Sequence, residues 1–211
     1  MGELRRRDDG DMCDRPTDRV VRPKPPAQAI IETADMVRRA KGIWRDEVFR
    51  RRPDGGVEKV EDTGWSGNRI VATFTKLLAG LLANEPTFNG GILFSAQGRG
   101  DPSFDTVLPT PEFSAVKLRD EYFRKTPDSI SFVDDDGNPA AEVTGAILIR
   151  TTLDFDEANG AGSGEFIREQ GLYGGPAEAV TDSGLLVNLI YHKARFKDAS
   201  VKIIRSIRLI L

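Results

Sequence analysis

The chain has 211 residues and a mass of 23.2 kDa, enough for one domain or two small ones whose core needs no covalent staple. Thirty Lys and Arg stand against 33 Asp and Glu, a formal net charge of -3, so the global balance offers nucleic acid no basic face. The single cysteine, Cys13, excludes an intramolecular disulfide and a cysteine-based zinc site, and His192 is the one candidate imidazole.

Twenty-one glycines and 12 prolines predict many turns, as short strands require. The first residues hold no apolar segment of the secretory kind, and the longest apolar run, 77–83, is far below the roughly 20 residues of a membrane span. Neither a secretory leader nor a membrane partner is expected. Residues 1–26 carry seven Lys/Arg, six Asp/Glu and four prolines, with few large apolar side chains. Such a segment cannot offset its own conformational entropy, and it reads as an extended or disordered N-terminal arm that orders only against a neighbour. Arg5, Arg6 and Arg7 are followed at once by Asp8, Asp9 and Asp11, which cancels a nucleic-acid reading of the arm.

Residues 27–211 read as one β-rich domain. Ile43, Trp44, Val48 and Phe49 sit among charged neighbours. The turn Pro53-Asp54-Gly55-Gly56 and the return through Val57 and Val60 then predict a hairpin over 42–62. Ile70, Val71, Phe74, Leu77, Leu78, Leu81 and Leu82 recur at three- and four-residue steps, so an amphipathic helix is expected over 69–83, with Asn68 as N-cap and Asn84 and Pro86 as its stop. From residue 90 to the C-terminus the pattern is β, with strands near 91–97, 144–156, 184–192 and 201–211. Turn-rich connections separate them at 98–112, 133–140 and 157–164. The fold class is therefore mainly β: an antiparallel, sandwich-like domain with one packed amphipathic helix.

Chemical motifs are sparse. Asp134-Asp135-Asp136-Gly137-Asn138 lacks the later glycine and glutamate of a calcium loop and reads as an acidic turn. Arg99-Gly100-Asp101 and Gly174-Gly175-Pro176 read as loop and turn, since no phosphate-binding Lys follows the glycines. His192 lies inside a strand, half-exposed by its pattern, with no nucleophile elbow anywhere in the chain. Carboxylate pairs such as Glu165 with Glu169, or Asp154 with Asp156, decide nothing without a measured separation. No catalytic, metal-binding or cofactor-binding residue is expected.

The whole-chain order carries more than any single motif. A hairpin with a glycine turn leads to Asn68 and a leucine-rich helix, and then to a strand ending in Gly98-Arg99-Gly100. Leu118-x-x-Glu121-x-x-Arg124 follows, then a long strand, Glu169-Gln170-Gly171-Leu172-Tyr173, Ser183-Gly184-Leu185-Leu186, and a closing strand. Over residues 42–211 this order resembles structural proteins of tailed bacteriophages and prophages of the tail, collar or fibre-attachment type. In that family an E-x-G-L-[FY] turn precedes a strand and a lysine-containing loop, where Lys193 and Lys197 stand here.

The resemblance implies a non-enzymatic virion protein in the tail, collar or neck, baseplate or fibre-attachment region, assembled in the host bacterial cytoplasm. It would form a homo-oligomer and touch other virion proteins partly through its N-terminal arm, without cofactor, nucleic acid or membrane. Glu169, Gly171, Leu172 and Tyr173 would form a structural turn, the carboxylate accepting backbone N–H groups, the glycine supplying positive φ, and the last two pinning the loop. The alternative is a β-sandwich module that binds a receptor or glycan at a tail tip through Trp44, Trp65, Phe104 or Tyr122. A small hydrolase built on His192 is a third class.

Overall fold

The computed structural model describes residues 40–211; the expected arm, 1–26, lies outside them. The chain runs β1 (Lys41–Arg51), β2 (Val57–Asp62), β3 (Ser66–Ile70), α1 (Thr73–Leu82), β4 (Ile92–Gly98) and a 3-10 turn (Pro102–Asp105). It continues through β5 (Glu121–Lys125), β6 (Ser129–Phe132), β7 (Ala146–Leu153), β8 (Glu165–Gly174), β9 (Leu185–Lys197) and β10 (Val201–Ile210). Among the described residues no helix is long and apolar enough to cross a membrane.

Nine strands follow one another in the antiparallel order β5-β4-β8-β9-β3-β1-β10-β7-β6, and β2 adds to β1. The short strand β3 is the hinge of this curl. It pairs with β1 on one side, through Gly42 and Asn68, and with β9 on the other, through Arg69 and Leu189. The β5-β4-β8-β9 half thereby folds over the β1-β10-β7-β6 half, as expected of a sandwich-like β domain.

Period-two patterning selects the inner face. In β1, Gly42, Trp44, Asp46 and Val48 are buried while the intervening residues stay half-exposed; in β10, Val201, Ile203, Arg205, Ile207 and Leu209 point inward. One interior cluster joins Trp44, Ile149, Leu172, Ile190, Ile207 and Leu209 to Phe74 and Leu77 of α1. Another gathers Val48, Leu153, Ile167, Val201 and Ile203. A third, built on Ala96, Tyr173, Leu186 and Leu189, is joined by Leu118 of the connection 99–120.

The predicted hairpin is present as β1 and β2, and the strands expected near 91–97, 144–156, 184–192 and 201–211 appear as β4, β7, β9 and β10. Three differences have physical causes. The helix starts at Thr73, not at 69, because residues 66–70 find ladder partners on both sides; Asn68 is a strand residue there and not the N-cap. The amide of Val71 then donates to Val187 O at 3.1 Å and that of Ala72 to Phe113 O at 2.8 Å, so the backbone is satisfied before the helix begins.

The second difference concerns Glu169, Gly171, Leu172 and Tyr173, which form no turn. They lie in the middle of β8, flanked by β4 and β9, and Gly171 has no positive φ. The third is β9, which reaches Lys197, five residues beyond its expected end at 192, because β8 continues to pair with it as far as Glu165 opposite Lys197.

Glycine is required where β8 meets the connection to β4. A Cβ on Gly174 would overlap the carbonyl oxygen of Gly91, a backbone atom that cannot swing aside, whereas one on Gly67 would meet nothing. Gly174→Ala is expected to lower stability by about 2–3 kcal/mol in denaturant unfolding. Gly67→Ala should leave it unchanged or slightly raised.

Candidate functional site

The interior clusters built on Trp44 and on Val48 are separated by a polar layer with a buried ion pair at its centre. Asp46 of β1 and Arg205 of β10 are register partners on inward positions and are almost wholly buried. Arg205 Nε donates to Asp46 Oδ1 at 2.6 Å and Nη2 to Oδ2 at 2.5 Å, a two-pronged pair. Nη1 crosses the interior to Gln97 Oε1 on β4 at 2.8 Å, so this one side chain ties the two halves of the sandwich together. Arg195 of β9 donates to Asp46 through Nη1 and to Glu61 Oε1 of β2 at 2.6 Å through Nη2. The layer continues through Ser95, whose hydroxyl accepts from Gln97 and Gln170.

His192 belongs to the same layer. It is buried, contrary to the half-exposed position its pattern suggests. Arg205 Nη2 lies 3.3 Å from its Nε2, and because a guanidinium can only donate, Nε2 is the acceptor. Nδ1 then carries the hydrogen, which it donates to the Lys193 carbonyl at 2.8 Å. Both ring nitrogens are committed, leaving no lone pair free to take a proton from a nucleophile. Burial, and next the Arg205 charge, push His192 down to about 3. Burial alone would raise the Asp46 carboxyl, but the charge and hydrogen bonds of Arg205, with the charge of Arg195, hold it below the usual range.

The layer reaches the surface at a seam. β3 joins β1 to β9 only around residues 66–70, and β9 beyond that point runs free of β1. The gap is a groove of about 430 Å³, with Trp44, Val48 and His192 below and Val60, Arg195 and Phe196 among its walls. Phe196 is 43% exposed and packs on Phe166 at a centroid distance of 5.1 Å. Trp65, 47% exposed, lies between β2 and β3. The groove sets apolar side chains beside the charged groups of Arg50, Glu61, Lys193 and Arg195, a mixed surface suited to packing against another chain.

The four residues expected as a turn lie away from this groove and serve β8 as anchors. Glu169 does accept backbone N–H groups, from Asp120 at 2.8 Å and Arg119 at 3.1 Å, but across to the connection 99–120. Burial raises its carboxyl, opposed by those N–H bonds. The Tyr173 hydroxyl accepts from the Leu118 amide at 2.9 Å, the Leu172 amide donates to Asn188 Oδ1 at 2.9 Å, and Gly171 lets Leu186 and the Asn188 carbonyl approach closely. Lys193 lines the groove, while Lys197 is buried and donates to Asn159 Oδ1 at 2.8 Å, with burial lowering it to about 8.

Of the four aromatic candidates, Trp44 and Phe104 are core residues, and Tyr122 gives its hydroxyl hydrogen to Ala158 O at 2.9 Å; Trp65 alone is exposed. Of the carboxylates named in pairs, Glu165 binds Arg99 Nε at 2.7 Å, Glu169 is engaged as above, and Asp154 accepts from the Phe155 amide at 2.8 Å. Asp134 closes its own acidic turn by accepting from the Asp136 and Asn138 amides, and Asp101 caps the 3-10 turn through the Ser103 amide. Among the described residues no group of three or more His, Cys, Asp or Glu could hold a metal ion. The Asp46–Arg205 pair itself was missed by the sequence reading; its one signal is charge at a position whose parity is otherwise apolar.

Scans against family models, curated proteins and solved structures return no match.

Removing one partner of the pair strands the other charge. Asp46→Ala is expected to cost about 3–5 kcal/mol in denaturant unfolding, and Asp46→Leu with Arg205→Met to recover most of that loss. For His192, the folded value of about 3 lies below the ordinary 6.5, so its contribution is complete above pH 6.5 and is lost as pH falls toward 3. His192→Gln keeps an acceptor for Arg205 and removes the titration. Between pH 6 and 4 the parent should lose up to roughly 1.4 kcal/mol per pH unit more than this variant. Parallel stability curves for the two would refute the assignment.

Proposed function

We propose that the chain is a structural subunit of a tailed-bacteriophage or phage-like particle, acting by assembly contacts in its tail, neck, baseplate or fibre-attachment region. In this reading it resides in the virion and meets further copies of itself and other virion proteins. The order of motifs over residues 42–211 suggested that class. The observation that carries the reading is the distribution of large apolar side chains left in solvent at separate places.

Val60, Phe196 and Phe166 stand at the seam, and Val107, Leu108, Phe113 and Val116 lie along the connection 99–120. A subunit that meets different neighbours through different faces needs several such patches, because heterologous contacts pair unlike surfaces. The charged centre suits the same role, since its groups are spent on one another. A second reading, a receptor- or glycan-binding module at a tail tip, is favoured by Trp65 alone.

The test is incorporation into particles isolated from the producing bacterium. Val60→Lys with Phe196→Lys should leave the melting temperature within a few degrees and reduce incorporation at least tenfold, and deletion of residues 1–26 should also impair it. Absence of the parent chain from particles, or normal incorporation of the double variant, would overturn the reading. A glycan-array signal lost in Trp65→Ala would favour the second.

A further inference from the structure

The seam is a place where neighbouring strands stop pairing. β2 and β3 follow one another along the same edge of β1, with residues 47–51 of β1 opposite β2 and 42–44 opposite β3. β9 is the next strand beyond β3, yet its ladder there ends with Arg69 opposite Leu189. β2 pairs with β1 alone, so its outer edge and the edge of β9 past Ile190 face each other across the groove with no strand between them among the described residues. The Lys193 carbonyl and the Ala194 amide are taken locally, by His192 Nδ1 and Asp105 Oδ1. From Arg195 to Lys197 the register with β8 is regular, and alternate residues turn their N–H and C=O groups away from β8. The bridge across the gap is made by side chains, Arg195 Nη2 reaching Glu61 Oε1 at 2.6 Å.

The groove is also unevenly charged. Arg50, Lys193 and Arg195 line it against Glu61 alone. Arg195 and Glu61 are spent on each other, and Arg195 also on Asp46. Arg50 and Lys193 are exposed and form no ion pair among the described residues. The carboxylates that act on them, Asp198 on Arg50 and Asp105 on Lys193, are bonded elsewhere, to Ser200 and to Arg168. Arg50 lies opposite Val201, at the corner where β9 gives way to β10, while Lys193 stands near the β3 end of the gap. The two unpaired cations therefore flank the exposed Val60 and Phe196 on the groove walls.

We propose that an extended, acidic segment of another protein adds to the sheet in this seam. Its backbone bonds to the open edges of β9 and β2, its carboxylates meet Arg50 and Lys193, and its apolar side chains cover Val60 and Phe196. Main-chain bonds supply affinity in such strand addition, and the two cations select the charge of the incoming segment. A neutral or basic segment would desolvate Arg50 and Lys193 without a counter-charge, which costs free energy. This names the kind of partner for the assembly reading and rests on that reading only in taking the seam as a contact. Binding is measured without particles, so a failure to bind and a failure of incorporation are separate results.

The ligand for the test is a fluorescein-labelled peptide of twelve residues in which Asp and Val alternate. Titrated with the full chain at low salt, its anisotropy should rise to saturation, whereas a peptide of alternating Lys and Val should not bind. Arg50→Ala with Lys193→Ala should weaken binding at least tenfold. Lys76→Ala with Lys117→Ala removes two cations that do not line the groove and should leave affinity unchanged. The acidic peptide with alternate backbone amides methylated keeps its charges and side chains, and should bind the unaltered chain at least tenfold more weakly. Absence of saturable binding, equal losses in the two double variants, or full affinity of the methylated peptide would overturn the proposal. So would self-association of the unaltered chain that disappears in Arg50→Ala with Lys193→Ala, which would seat a second copy in the seam.

Discussion

The structure depends on one desolvated ion pair. Taking Asp46 and Arg205 out of water costs several kcal/mol per charge in effective terms, and their attraction offsets that only when every remaining donor and lone pair finds a partner. Here Arg195 supplies a further donor to Asp46, while Gln97 and His192 accept from Arg205, so that four of its five N–H groups are bonded. The arrangement also fixes register. A one-residue slip of β1 against β10 would turn Asp46 to the outer face and leave the Arg205 guanidinium buried without its carboxylate. The apolar residues around the pair set how much surface is buried, and the pair sets which of the possible strand alignments is the native one.

That division explains what the sequence disclosed. The hairpin β1–β2 was legible because its turn residues have few alternative conformations, and β4, β7, β9 and β10 because their apolar runs end at turn-forming residues. β8 was not legible. Glu169, Gln170 and Gly171 look like a surface corner, and they are buried only because β4 and β9 cover both edges and the connection 99–120 brings amides to Glu169. The helix boundary failed for a related reason. Ile70 and Val71 continue the helical period, but strand pairing of 66–70 with two neighbours outweighs local propensity. Asp46 and Arg205 were invisible as partners since 159 residues separate them in sequence, and only the closure of the sheet makes them adjacent.

The polar layer also sorts the molecule mechanically. The clusters built on Trp44 and on Val48 are braced against it, and contact across the sandwich runs through Arg205 to Gln97. The places left open are the ends of that brace. At the seam β9 runs past β1 without pairing, and at the helix end an apolar groove is left between α1 and the β6-β7 edge. Apolar side chains exposed at such margins are held by rigid strands and do not need to be ordered when a partner arrives.

The same reasoning applies to the connection 99–120, which would be a costly loop to order at an interface if it were loose. It is held at both of its ends. Asp101 caps the 3-10 turn that buries Phe104, and the Phe104 ring packs on Tyr191 at 4.7 Å. Asp105 binds Arg168 Nη2 at 2.9 Å, and further along Glu169 and Tyr173 take the amides of residues 118–120. What remains outward between these anchors is Val107, Leu108, Phe113 and Val116. Backbone entropy spent in folding the loop is not spent again on contact, so an apolar patch presented this way can contribute more of its buried area to affinity than the same residues on a free segment. Buried Glu169 is thus the residue through which a strand interior sets the shape of an exposed surface.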